Sequence, residues 1–438
     1  MLSRLRIGWA TPWNYHSAIA HVAEDVAAEL TARGHDVTVL RTETGAALAL
    51  PPRASSWPIY PLADVATAAL HRDFDVVVAH IGNNFPYHGA LLPRLPALGV
   101  VGIFHDAFLA NLAAGLAHQP GGGGDAMLRR VICQTYGEAA WPAGEPFLTW
   151  ASMEDVARRR PMLEWIAGQT VGAVAHAEHY AARLRAACPG PAAVIPLALA
   201  FHDLPPPPAS SNRMVVAVIG HANPNKRIDQ LILAISASPL LRRRCRVRVI
   251  GEAAPDERER LDTFARIAGI APPEFTGWVS DEDLRWRLRD VDAICCLRHP
   301  VLEGASASLV LAMASGRPTL VSGQGCYAEV PDDAVMVCSP GGEALDVMRH
   351  LERLVTTPAL GIAMGVRAQA IAARRHSPTA YVAALLPLLE QAIAARPLVT
   401  AGQRLAETLG EFGLAPGDPA MLRITDVLAG MRHAENKE

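Results

Sequence analysis

Short apolar runs alternate with longer stretches of helical spacing along most of the chain. Leu5, Ile7 and Trp9 open a strand; Ile19, Val22, Ala23, Val26, Ala27 and Leu30 then share one helical stripe, which Gly34 ends. Strand-like runs follow at 36–40, 75–79, 100–104, 171–175 and 193–196. Strands separated by helices and loops predict parallel pairing with right-handed crossovers. At Leu204 the pattern breaks, because the run Pro205 to Pro208, followed by Ala209, Ser210 and Ser211, continues neither a helix nor a central strand. It restarts at 214–219, with Ile228, Leu231, Ile232 and Ile235 on a helix and Val247, Val249 and Ile250 on a strand. Ser280 to Asp283 reads as a helix start of the capping-box type. A strand at 293–297, a helix at 305–315 and a strand at 318–322 complete a second unit, and 344–396 reads as mainly helical.

The expected fold class is therefore α/β, with two doubly wound Rossmann-like domains facing a central cleft. The expected limits are 1–203, a proline-rich linker at 204–212, a second domain at 213–390 and a helical tail at 391–438, to which the pattern assigns no role. Ligands of such sheets bind at the strand C-termini, so two substrates meeting between the domains follows from the architecture. Gly121 to Gly124 reads as a surface loop rather than a phosphate cradle.

Composition narrows the classes. A chain of 438 residues, set against about 150 per domain, fits two or three domains. Half of it is hydrophobic, and a net charge of −3 gives no drive toward nucleic acid. Seven cysteines without close pairing point to a reducing compartment. Cys295 and Cys296 alternate across a strand and would not share one metal. No uninterrupted apolar run approaches about 20 residues, and the first residues run straight into a strand pattern rather than a secretory signal. The expected location is cytoplasmic, with the inner face of the membrane as the alternative.

The chemistry concentrates in two places. Glu303, Gly304, Ala305, Ser306, Ala307 and Ser308 link a buried strand to an apolar helix, whose N-terminus would present free N–H groups to a phosphate. Gly220, His221 and, further on, Lys226 lie between the first strand and first helix of the second unit, where an ammonium meets a diphosphate or is a solvated loop cation. Other polar clusters have a plain structural reading beside a functional one. His176 and His179 have no evident third metal ligand, and His80, Asn83, Asn84, Tyr87 and His88 form either a binding wall or satisfied loop polars. Arg158 to Arg160 and Arg242 to Arg244 are solvated faces or weak contacts with anionic lipid. No G-x-G-x-x-G follows either first strand, which disfavours an NAD enzyme.

The loop from Gly220 to Asp229, the segment Thr276 to Ser280 and the stretch from Glu303 to Ser308 together resemble the donor-binding half of retaining glycosyltransferases of the GT-B fold, family 4. Ser17 to Ala20, Ala32 to Val37 and Phe104 to Asp106 extend the resemblance into the first half, so that it runs from about Arg4 to Leu389. It implies a metal-independent, retaining hexosyltransferase that needs no cofactor. The nucleoside-diphosphate sugar is then its donor substrate, and a glycan or lipid-linked hydroxyl is the acceptor, in polysaccharide or cell-envelope synthesis.

By the same resemblance Lys226 neutralises the diphosphate with the helix beginning near Ser306; Gly220, His221 and Gly304 belong to the donor site, and Arg298 faces the phosphates or the acceptor. Glu303 hydrogen-bonds the transferred sugar, and His105 helps hold donor and acceptor. Thr276, Gly277, Trp278 and Val279 line the base. Ser17, Asn83, Asn84 and Asp106 fall on the acceptor side, and Glu329 matches a glutamate of the following donor loop, where helix capping explains it equally. Departures from the family pattern are Leu311, where a second glutamate binds the ribose diol, His221 in place of an arginine, and Ala18 in place of a glycine. They leave a non-catalytic GT-B homologue, acting as an accessory or sugar-recognition subunit, as the alternative. Substituting Lys226 or Glu303 is expected to cost transfer while leaving melting nearly unchanged.

Overall fold

The computed structural model describes residues 4–142, 146–200, 204–206 and 213–411. The apolar runs become the strands β1 Arg6–Thr11, β2 Asp36–Arg41, β3 Ile59–Pro61, β4 Val76–Ile81, β5 Val101–Phe104, β6 Gly172–Ala175 and β7 Ala192–Val194. They form a seven-stranded parallel sheet in the order β3-β2-β1-β4-β5-β6-β7. The second unit supplies β8 Met214–Ile219, β9 Cys245–Ile250, β10 Glu274–Phe275, β11 Ala293–Cys296, β12 Thr319–Ser322 and β13 Met336–Cys338. These make a six-stranded parallel sheet, β10-β9-β8-β11-β12-β13. In both sheets the order reverses beside the first strand, so the loops after β1 and β4, and after β8 and β11, flank a topological switch point. The two doubly wound domains expected from the hydrophobic pattern are present. The edge strands β3, β10 and β13 were not expected, and at two or three residues each they are too short to show an alternation.

The helix Pro378–Glu411 corrects the expected domain limits. Its Tyr381, Val382, Leu385, Leu389 and Ala392 form a stripe at helical spacing, buried in one core with Ile7, Trp9, Val26 and Leu30 of the first domain. Arg396 donates to the Asp75 carbonyl at 2.9 Å and Gln403 to the Gly168 carbonyl at 3.0 Å. The segment placed at the end of the second domain, and the described part of the tail, thus belong to the first. Periodicity identifies an apolar helical face but not the core that receives it. The stretch Pro358–Gly410 is long and apolar enough to cross a bilayer by length and composition; in the fold its apolar residues at 381–399 instead complete the first domain. Residues 207–212 of the expected linker and 412–438 of the expected tail lie outside the described residues.

The chain passes between domains near Leu199 and again near His376, and the two crossings are bonded together. Leu199 N donates to the His376 carbonyl and His376 Nδ1 to the Leu197 carbonyl, both at 2.8 Å. The start of the linker is fastened by Arg317, a fully buried side chain. Its guanidinium donates to the carbonyls of Pro205 at 3.0 Å, Pro206 at 3.2 Å and Val291 at 3.1 Å, and also to those of Ser315 and Leu288. Burial draws Arg317 down to about 10, which still leaves it charged at neutral pH, and carbonyl dipoles carry out its solvation.

Leu385→Ala removes a fully buried side chain from the shared core and should destabilise the protein by about 2–5 kcal/mol. Urea unfolding followed by tryptophan fluorescence checks this, since Trp9 and Trp13 lie in that core. An unchanged midpoint would show that the helix does not depend on this packing.

Candidate functional site

The loop after β11 carries the most concentrated chemistry. Arg298, the second residue beyond β11, is buried, and its Nε lies 2.8 Å from Oε1 of Glu303. The Tyr327 hydroxyl donates to the same Oε1 at 2.5 Å, while Leu302 N donates to Oε2 at 3.2 Å. Burial alone would push the Glu303 carboxyl up, but the Arg298 guanidinium and the Tyr327 hydroxyl overcome it and hold the group below its ordinary range. Arg298 is held further by Ser322 Oγ, which accepts from its backbone N at 2.9 Å, and by Gln324, which donates to its carbonyl at 2.7 Å. Glu303 is therefore a fixed carboxylate with committed partners, and Tyr327 among them gave no periodic or motif signal in the sequence.

Lys226 lies in the same buried region. Its Nζ donates to the Ile219 carbonyl at 2.5 Å, so the ammonium folds back on the strand that precedes its loop. Gly220, at φ +91°, makes this possible: a Cβ there would come within 2.9 Å of Nζ. Burial, reinforced by Arg298, draws Lys226 down to about 7. Ser306 caps the helix Ala307–Ala314, accepting from Leu309 N at 3.3 Å and lying 3.0 Å from Ser308 Oγ. Lys226, Arg298 and this helix start gather positive potential at the C-terminal ends of β8 and β11.

Across the cleft the two backbones join. Ala107 N and Phe108 N donate to the Leu302 carbonyl at 2.9 and 3.1 Å, and Gly304 N donates to the His105 carbonyl at 2.8 Å. Asp106 and Glu303 form an isolated antiparallel bridge. Gly304 has no room for a side chain, since a Cβ would stand 2.5 Å from the Tyr180 hydroxyl and 3.0 Å from the His105 carbonyl. The structure thus brings the backbones around His105 and Glu303 side by side across the cleft. Asp106 accepts from Asn83 N at 2.7 Å, and burial lifts its carboxyl to about 7 against that bond.

A cavity of about 530 Å³ opens beside this junction, between the first turns of the helix Ala18–Ala32 and the strand ends of the second domain. Gly220, His221, Trp278, Val279, Ser308 and Leu311 line its second-domain wall. Its volume is that of a small-molecule site. Thr276 and Gly277 stand next to that wall, with Thr276 Oγ1 accepting from Gly251 N at 3.2 Å and donating to the Gly277 carbonyl at 2.9 Å. The first-domain wall carries residues that the sequence did not single out. His21 Nε2 lies 3.1 Å from Asp281 of the other domain and 3.0 Å from Arg53, and the His16 and Trp278 rings stand 5.5 Å apart across the gap.

Other candidates are committed elsewhere. Asn83 Oδ1 accepts from Asn111 N at 3.0 Å and Leu112 N at 3.2 Å, which fastens the start of the helix Ala110–His118. Asn84 is exposed at the start of the short helix Phe85–His88, and Ser17 Oγ caps the helix Ala18–Ala32 by accepting from Ala20 N. Glu329 caps the helix Glu178–Ala187 of the opposite domain, accepting from Glu178 N at 3.0 Å and His179 N at 2.8 Å. Of the basic runs, Arg158 and Arg159 lie exposed beside Asp155, whereas Arg160 is largely covered and stacks near Phe147. Arg242 to Arg244 are exposed at the C-terminus of their helix, where cations suit the dipole.

Residues 203–371 match the family model described as glycosyl transferases group 1. No curated protein matches the chain. Among solved structures, HepE of Anabaena, crystallised with UDP-glucose, superposes with a TM-score of 0.61 at 16% identity, over 88% of this chain and all of that one. Sucrose-phosphate synthase of Thermosynechococcus elongatus gives 0.59 at 15% identity, over 90% of this chain and all of that one. WaaG, a glycosyltransferase of lipopolysaccharide biosynthesis, gives 0.54 at 14% identity, over 87% and 99% of the two chains. Residues 203–371 are thus similar to the glycosyl transferases group 1, and the chain as a whole carries the GT-B fold of these neighbours.

Proposed function

We propose that the protein transfers a hexose, with retention, from a nucleoside-diphosphate sugar to a hydroxyl of a glycan or lipid-linked acceptor. The observation that carries this reading is the buried Lys226, Arg298 and Glu303 group beneath the start of the helix Ala307–Ala314, next to an interdomain cavity. In the step, the bond from the anomeric carbon to the diphosphate oxygen breaks and the acceptor oxygen bonds to the same face of that carbon. The acceptor proton passes to the departing phosphate oxygen. Charge builds on the diphosphate, where Lys226, Arg298 and the helix N–H groups meet it in a water-poor site, so the charge balance requires no metal ion. Glu303 and His105 hold the sugar, and the domain junction aligns the acceptor and excludes water. HepE, crystallised with UDP and UDP-glucose, makes UDP-glucose the first donor to test. Polysaccharide or cell-envelope synthesis in the cytoplasm, at the inner membrane face where the acceptor is lipid-linked, is the setting we propose.

Purified protein given UDP-glucose and a hydroxyl acceptor should release UDP and form an α-linked product. UDP binding with neither transfer nor hydrolysis across UDP, GDP, dTDP and ADP sugars would instead make it a sugar-recognition subunit.

Glu303→Gln should lower transfer at least tenfold. Because it leaves the Arg298 guanidinium buried without its counter-charge, it should also cost about 3–5 kcal/mol of stability, which revises the unchanged melting expected from sequence. The pair Arg298→Met and Glu303→Leu should recover most of the melting temperature but none of the transfer. Calorimetry and a transfer assay on the same samples separate the two effects, and a doubly substituted protein with normal turnover would sink the site.

Lys226 sets a pH dependence. Its free ammonium titrates near pH 7, and a bound diphosphate favours the charged form, so binding takes up a proton there. Affinity for UDP is then full below pH 7 and falls by up to about tenfold per unit as pH rises above it. Isothermal titration between pH 6 and 9 checks this, and Lys226→Arg should flatten the profile. A wild-type profile level from pH 7 to 9 would count against diphosphate contact.

Leu311 lines the cavity, and by the family resemblance a carboxylate at this position would meet the ribose diol. Leu311→Glu should tighten UDP binding by about tenfold, equivalent to roughly 1.4 kcal/mol and within the reach of one charge-assisted hydrogen bond. Unchanged or weaker binding would mean that leucine is part of a rebuilt pocket.

A further inference from the structure

Four histidines are buried together, His80, His105 and His176 at the C-terminal ends of β4, β5 and β6 and His88 on the short helix Phe85–His88. His80 Nδ1 and His105 Nε2 are 2.8 Å apart, with the rings stacked at 17° and 5.1 Å between centroids. The His176 ring stands 4.8 Å from that of His105, and Trp9 packs edge-on against His80 at 4.7 Å. His88 lies against the backbone of His80. Burial holds His80 and His105 well below the ordinary imidazole range, so each ring is neutral and carries one N–H.

One proton therefore lies between His80 Nδ1 and His105 Nε2, and two arrangements are open. If His105 donates, the His80 proton must sit on Nε2, which is buried without a hydrogen-bond partner. If His80 donates, that Nε2 keeps only an unused lone pair. Orphaned buried N–H groups are rare in proteins, and a lone pair is the milder omission. The neighbouring rings make the same choice. His88 Nδ1 donates to the His80 carbonyl at 3.0 Å and His176 Nδ1 to the Ile195 carbonyl at 2.9 Å, which leaves His176 Nε2 likewise unpartnered.

We infer that His80 is a positioning residue that fixes His105 in the Nδ1–H tautomer, so that His105 meets its ligand in the cleft as a hydrogen-bond donor. With Nε2 occupied as an acceptor from His80, that nitrogen is not available as a general base. The Nδ1–H has no acceptor among the described residues, and the His105 side chain keeps slight exposure next to the Gly304 junction. The ligand it suits is an oxygen with a free lone pair, a sugar hydroxyl or a diphosphate oxygen. This rests on the transfer reading only for the identity of that ligand.

The test is long-range proton–nitrogen NMR on the full chain labelled at histidine, with His105 assigned by its loss in His105→Gln. The expected wild-type spectrum shows His105 Nδ1 protonated and Nε2 bare; a protonated His105 Nε2 overturns the inference whatever the protein catalyses. His80→Asn places an amide N–H where Nδ1 stood and should keep this tautomer, with kcat within threefold of wild type. His80→Leu should lose the tautomer preference and lower kcat about tenfold, with the UDP-glucose KM within twofold. Wild-type kcat in His80→Leu would also overturn it. If wild-type protein transfers no sugar from any donor, the transfer reading fails, while the nitrogen spectrum still decides the tautomer.

Discussion

The constraint on which the rest of the structure depends is the burial of the Arg298 guanidinium. A cation taken out of water at the end of β11 demands a carboxylate in fixed geometry, and Glu303 supplies it at 2.8 Å. Holding Glu303 there shapes the backbone of residues 302–304, and that backbone meets residues 105–108 of the other domain in a short run of hydrogen bonds. Charge neutralisation, loop shape and domain contact are thus one requirement. Ser322, at the end of the neighbouring strand β12, and Tyr327, just beyond it, serve the same pair and extend its reach to the loop after β12.

The two sides of the junction differ in electrostatic character. The first domain contributes neutral, buried imidazoles and the Asp106 carboxyl, whose burial raises it toward neutrality. The second contributes Arg298, the Lys226 ammonium and a helix N-terminus. An anion is drawn to the second domain, whereas the first offers directional donors with little net field. A cleft with this asymmetry orients a molecule that is charged at one end and hydroxylated at the other.

Much of this was legible in the sequence, because the signals are local. Apolar runs such as 214–219 and 293–297 are uninterrupted, and the capping of the helices at Ser17, Ser280 and Ser306 follows from residue type and spacing. By resemblance the sequence singles out Lys226, Arg298, Glu303 and His105, and folding brings them to the strand ends at the domain junction. What stayed hidden is tertiary. Tyr327 and Arg317 belong to no pattern, since their partners are carbonyls and a carboxylate brought near by folding. Asn83 looked like a binding residue because its type suits both uses, and only the position of the helix Ala110–His118 makes it a cap. Glu329 carries the same ambiguity and it settles the same way, as a cap that crosses the cleft.

The returning helix Pro378–Glu411 also orders events during synthesis. Residues 4–200 emerge from the ribosome first, yet the side chains that fill their core between Ile7, Val26 and Leu30 are encoded beyond residue 380. The first domain therefore waits with an open apolar face while the whole second domain is made. Its sheet reaches a closed core only when Tyr381 to Val399 arrive, so the last helix completes the first domain after the second has been made.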